Sequence, residues 1–177
     1  MKKNYMFTIM MIVVAAACSK NNDGPKETER EAPEHGVVIG GVTWATRNVN
    51  ISGKFVSLPE DIGQYFSVNT SKTACPEGWR LPTLAEFNIL VEAESAGKTV
   101  NGINGRQFGS GENIILLPAL SNSSTGYYWS EGSSRDENGF FKDIFVFINN
   151  SNTVMIANSV QVIGGSGSNF NVRCVKK

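Results

Sequence analysis

The stretch ACPEGWRLPT, Ala74 to Thr83, runs straight into TLAEFNILVEAESAG, Thr83 to Gly97, and the junction decides how the fold is read. Pro76 and Pro82 each lock their own φ and restrict the residue before them, so the first half is rigid and non-helical. Thr83 and Glu86 then form a T-x-x-E capping box, in which each side chain satisfies a free amide at the start of a helix. Leu84, Phe87, Leu90 and Val91 recur at helical spacing on one face, and Gly97 follows the expected end. This stretch is the one main helix the sequence predicts.

Outward from it, the chain reads as β. Val37 to Ala45, VVIGGVTWA, suggests two short strands around a Gly40-Gly41 turn, and GQYFSV, Gly63 to Val68, another short strand. Beyond the helix, VNGINGRQF carries an Asn104-Gly105 hairpin signal, followed by NIILLPAL and GYYWSEG. DIFVFIN and TVMIANSV flank Asn149 to Asn152 as a hairpin apolar on both faces, hence central to its sheet. The last strand, FNVRCVKK, puts Phe170, Val172 and Cys174 on one face. The expected class is α+β, with one main helix and seven to eight short, largely antiparallel strands.

The N-terminus has a different character. Lys2 and Lys3 precede an apolar run, Tyr5 to Ala17, too short to span a bilayer comfortably, so residues 1–17 read as an export signal. Three alanines before Cys18 resemble a bacterial lipobox, with Ala15 where leucine is usual; the sulfur of Cys18 would then carry the lipid. The alternative is a soluble secreted chain cut near Ala17. After Cys18, and apart from Pro25 and Pro33, no apolar side chain larger than alanine occurs before Val37, so residues 18–36 read as a disordered tether. Ser19, rather than aspartate, follows Cys18, and the nearby acidic and polar residues loosely resemble a surface-export signal. The expected location is the outer membrane, lipid-anchored and facing the cell surface.

Residues 37–177 are enough chain for one domain with a substantial core. Without Lys2 and Lys3, the 16 basic residues fall to 14 against 16 acidic ones, so no basic field exists to attract nucleic acid. In an oxidising compartment the two body cysteines, Cys75 and Cys174, are most simply a disulfide; the alternative is two separate buried thiols. His35, in the tether, is the only histidine. Its position excludes Ser-His-Asp and Cys-His catalysis, and histidine-based zinc sites, from the body.

Six fragments align in order with a known family: GVTWATRNVN, GQYFSV, CPEGWRLPTLAEFNIL, LLPAL, GYYWSEG and VRCVK. Together they resemble the Fibrobacter succinogenes major paralogous domain of bacterial lipoproteins and surface proteins, over essentially all of Val37 to Lys177. The resemblance implies a C-type lectin-like fold with its termini close together. It also implies a framework role for Trp44, Trp79, Arg80, Pro82, Trp129, Arg173 and Cys174. Phe87 stands where the family commonly has tryptophan. Formylglycine-generating enzymes have a related fold with reactive cysteines in the site, whereas Cys75 and Cys174 fall in framework blocks.

No cofactor is expected. In SEGSSRDENGF, the oxygens of Glu131, Asp136, Glu137 and Asn138 are weak candidates for calcium; EF-hand spacing and the EPN, QPD and WND motifs are missing, and a polar hairpin loop is the simpler reading. GGSGSNF, Gly164 to Phe170, lacks the GK[ST] ending of a phosphate loop and reads as a flexible loop. Tyr127 and Tyr128, beside a Ser- and Asn-rich loop, are the candidate ligand-binding residues, with alternation putting Tyr127 and Trp129 on one face and Tyr128 on the other. The expected function is a non-catalytic surface module binding a glycan or a protein through loops between Asn101 and Asn138. The alternatives are a structural, accessory or tip-like subunit of a surface appendage, and an enzyme of unfamiliar type.

Overall fold

The structure is a computed structural model that describes residues 35–160 and 169–177. The expected export signal, Cys18, the expected tether up to Glu34 and Gly164 to Ser168 of the glycine-rich loop lie outside the described residues. Within them the chain forms twelve strands and two helices, an α+β arrangement dominated by antiparallel sheet. No described helix is long and apolar enough to cross a membrane.

The capping box forms as the residue types require. Thr83 Oγ1 accepts from the Glu86 backbone amide at 3.2 Å, and Glu86 Oε2 accepts from the Thr83 amide at 2.7 Å. The helix that follows, α2 (Leu84–Glu92), buries Phe87 and Leu90. Arg80 reaches the same carboxylate through two bonds of 2.8 and 2.6 Å, locking the CPEGWRLP segment to the helix start. That guanidinium, with the Thr83 amide, holds the Glu86 carboxyl below its ordinary value against the opposing effect of burial.

The helix is shorter than its periodicity suggests. It stops at Glu92, Ala93 is extended, and Ser95–Val100 forms strand β6. Gly97 is therefore not a helix cap. It lies in β6 where a Cβ would collide with the Asn149 carbonyl, so glycine is needed for close approach. A second, short helix, α1 (Val68–Ser71), was not legible in GQYFSV; it has its own capping box between Ser67 and Thr70.

The hairpin signal beyond the helix also moves. β6 pairs with β7 (Ile103–Ser110) around Asn101-Gly102, whose φ values of 49° and 80° suit a two-residue hairpin turn. Asn104-Gly105 lies inside β7. That strand is central, with β8 (Asn113–Pro118) on its other side.

A four-stranded sheet has the order β1 (Val37–Ile39), β2 (Val42–Trp44), β12 (Val175–Lys176) and β5 (Trp79–Arg80). It brings the first and last parts of the domain together, and the Gly40-Gly41 turn lies where expected. β3 (Val49–Ile51) and β4 (Lys54–Phe55) form a small ribbon. The longest hairpin joins β9 (Thr125–Arg135) to β10 (Phe141–Ile148), with β11 (Val154–Ala157) on the far edge of β10. Only half of the expected central hairpin is central: β10 is, while β11 is an edge strand with Met155 half exposed.

The Cys75–Cys174 disulfide joins positions 99 residues apart. It fastens the chain end to the segment before β5. Every residue from Phe170 to Val175 is buried, so the last stretch is enclosed on both faces rather than one.

Candidate ligand-binding cleft

β9 divides the interior. Tyr127 and Trp129 join one apolar cluster, with Phe141, Phe170 and Cys174; Tyr128 joins the other, with Phe87, Phe108, Phe145 and Phe147. The alternation holds, and both faces are packed at Tyr128 and Trp129, whereas Glu131, Gly132, Ser134 and Arg135 farther along the strand are exposed. β10 pairs along one side of β9, and Asn171 bridges to Tyr128 on the other.

Tyr128 is consequently enclosed, which corrects its reading as a ligand platform. Its hydroxyl donates to the Pro118 carbonyl at 2.7 Å and accepts from Asn48 Nδ2 at 3.2 Å. Burial pushes the phenol up to about 12. Tyr127 is half-buried and stacks on Phe170, ring centroids 5.1 Å apart, so one ring face is already occupied.

The acidic loop folds as a turn. Asp136 Oδ1 accepts from the amides of Asn138 and Phe140, both at 2.9 Å, and Lys142 Nζ lies 3.9 Å from the other oxygen. This is local side-chain-to-backbone closure. The Glu131 amide bonds to the Pro82 carbonyl at 2.8 Å, and its charge acts on Arg80. No group of three or more His, Cys, Asp or Glu able to hold a metal occurs among the described residues.

The residues of the expected framework are all engaged in the interior or its edge. Trp44 is buried and tilted against Phe87 at 5.5 Å. Trp79 meets the edge of Phe55, with Lys176 Nζ 4.8 Å above its ring. Pro82 is buried, and the Trp129 indole donates to the Phe66 carbonyl at 2.6 Å. Arg173, wholly buried, donates to the carbonyls of Ala45 and Leu116 at 2.9 and 2.8 Å, and to Asn48 Oδ1 at 3.0 Å. One cation thus ties three distant stretches together.

A polar seam continues outward from Arg173. Asn48 and Asn171 both donate side-chain amides to the Ile62 carbonyl, at 2.8 and 2.7 Å. Ile62 in turn forms one wall of a cleft of about 340 Å³, completed by Gly102 to Asn104 and Leu120 to Ser123. The volume lies near the lower end for small-ligand sites, about 300–1,000 Å³. No charged side chain lines it.

Its walls are tied to one another. Asn104 Oδ1 accepts from Thr99 Oγ1 at 2.9 Å, and its Nδ2 donates to the Ser123 carbonyl at 3.3 Å. Asn101 Nδ2 donates to Glu60 at 2.7 Å, and the Ser121 amide donates to the Tyr65 hydroxyl at 3.0 Å. Leu120 to Ser123 is a tight turn closed by the Ser123 amide on the Leu120 carbonyl at 3.0 Å, with Asn122 at φ 57°. Such a position favours glycine or asparagine.

Sequence reasoning located two of these stretches inside the Asn101–Asn138 span but missed Ile62 and Tyr65. The only signals for those two were a tyrosine in GQYFSV and a turn-rich approach to it. A second, more open groove of about 500 Å³ lies between β1, the end of α2 and the β7–β8 turn, with Ile39 and Ile89 among its apolar residues and Glu92 and Glu94 among its polar ones. No protein-family model, curated protein or solved structure matches the chain.

Proposed function

We propose that this protein is a lipid-anchored outer-membrane protein, acylated at Cys18 and facing the cell surface, whose folded part is a non-catalytic binding module of C-type lectin-like type. The resemblance to the Fibrobacter succinogenes major paralogous domain motivates the fold-family reading, and the paired termini of the four-stranded sheet are compatible with it. The ligand is a glycan, taken by the cleft among Ile62, Gly102–Asn104 and Leu120–Ser123. One observation carries this: a preformed concave surface of amides, hydroxyls and aliphatic side chains, without a lining charge, two of its three stretches inside the span of loops suited to recognition.

Screening the full chain, disulfide intact, on a glycan array with calcium and with chelator tests the reading. Binding that persists in chelator and is mapped to the cleft by chemical-shift changes supports it. A blank array, together with capture of a protein partner through another surface, would sink it. Anchoring has its own test: metabolic fatty-acid labelling that disappears in Cys18→Ala.

A further inference from the structure

Resting on the glycan reading of the cleft, we infer that it selects a neutral sugar bearing an acetamido group, with Asn122 and Ser121 as the recognising side chains and Tyr65 positioning their turn. No hydrogen bond among the described residues uses the Asn122 side-chain amide or the Ser121 hydroxyl, although most other polar groups around the cleft are engaged. Asn122 is exposed, and its amide offers a donor and an acceptor side by side, the complement of an acetamido N–H and C=O. Ser121 offers a hydroxyl to a ring hydroxyl beside it. Ile62, Ile103 and Leu120 give the acetyl methyl and the sugar's C–H face an aliphatic wall.

Charge selection follows from the neighbours. Glu60 and Asp61 flank the wall next to Ile62, but Glu60 is held by Asn101 and Asp61 Oδ2 accepts from the Leu58 amide at 3.1 Å. A carboxylate-bearing sugar would shed water in the cleft without meeting a lining counter-charge, and its desolvation would go uncompensated.

A peptide is a poorer fit. The walls are turn tips and a central strand: Val100 pairs with Ile103, and the Asn104 carbonyl accepts from the Ala119 amide at 2.8 Å. No open strand edge is offered there for main-chain addition. The cross-ties through Asn104 and Tyr65 hold the walls before a ligand arrives, which reduces the ordering cost of binding.

The test is ligand-observed NMR on the full chain with N-acetylglucosamine, glucose and glucuronic acid, on the wild type and on Asn122→Gly, Ser121→Ala and Tyr65→Phe. Asn122→Gly keeps the backbone conformation and removes only the amide. The expected order is N-acetylglucosamine tightest and glucuronic acid weakest. Loss of both amide hydrogen bonds in Asn122→Gly should weaken N-acetylglucosamine about thirtyfold and glucose hardly at all. Tyr65→Phe should weaken both neutral sugars alike, because it loosens the turn rather than removing a ligand contact. Equal binding of glucuronic acid, or a preference for N-acetylglucosamine that survives Asn122→Gly, overturns the inference. A glycan that binds but shifts signals in the Ile39–Ile89 groove overturns it while leaving the glycan reading standing; failure of every glycan, or peptide binding in the cleft, removes both.

Discussion

The two apolar clusters on either side of β9 are built by different means. On the Trp129 side, many contributors lie outside regular strands: Phe66 and Phe170 meet in a single bridge, and Ala45, Ala74, Val172 and Cys174 sit in irregular chain. That side is stitched by the disulfide and by the Trp129 indole on the Phe66 carbonyl. On the Phe87 side, nearly every contributor belongs to a helix or strand. Aromatic pairs fill both sides, with Phe87 stacked on Phe145 at 4.5 Å in one and Trp129 tilted against Phe170 at 4.7 Å in the other. Irregular chain lacks a ladder to hold it and so needs cross-links, whereas regular elements need only complementary packing. The Arg173–Asn48–Tyr128 seam lies between the two modes and supports the cleft wall at Ile62.

The largest break in this contrast should come from Cys75→Ala/Cys174→Ala. Releasing a 99-residue loop is expected to cost about 4–5 kcal/mol in urea denaturation. Amide exchange should rise first around Phe66 and Phe170; exchange rising equally around Phe145 would mean the two sides are one unit.

Phe145→Ala comes next. The ring is fully buried against Phe87 and Phe108, so about 3–4 kcal/mol should be lost. The disulfide should still form in this variant, as thiol titration would show. Arg173→Met, which leaves two buried acceptors and one half-buried acceptor without their donor, should cost about 3 kcal/mol and disturb both sides together.

Tyr128→Phe is the smallest effect at neutral pH, about 1 kcal/mol for its bond to the Pro118 carbonyl. Its signature is in alkali. The folded phenol is raised to about 12 from 10.0, so between these values the unfolded chain releases a proton that the folded chain keeps. Stability therefore falls as pH rises, by roughly 1.4 kcal/mol per unit, and levels off above the folded value. The Phe variant should lack this limb while sharing the lysine background. A wild type and variant that lose stability in parallel through this window would show that the seam is open to water.

Several features were legible because their determinants are close together in the chain. The Thr83–Glu86 box spans four positions, and the face alternation of Tyr127, Tyr128 and Trp129 spans three. Other features had two equivalent readings. Asn101-Gly102 and Asn104-Gly105 carry the same turn chemistry, and the pairing of β6 with β7 selects the first. Gly97 looked like a helix cap because nothing near it in sequence reveals the Asn149 carbonyl beside it. The cleft was least legible: turn tips have no periodicity, and three separate stretches must meet before a concave surface exists.

From its residues alone this protein had its helix start, its Gly40-Gly41 hairpin, its cysteine pairing, its α+β class and a body without histidine. Those properties depend on capping chemistry, backbone freedom, parity of thiols and composition, all of which act locally or by count. Only the tertiary structure decided where the helix ends, that both faces of β9 are enclosed at Tyr128 and Trp129, and that Tyr128 is a buried donor rather than a platform. Burial is a property of partners, and the partners here are far apart in the chain, as in the Arg173–Asn48 bond across 125 positions.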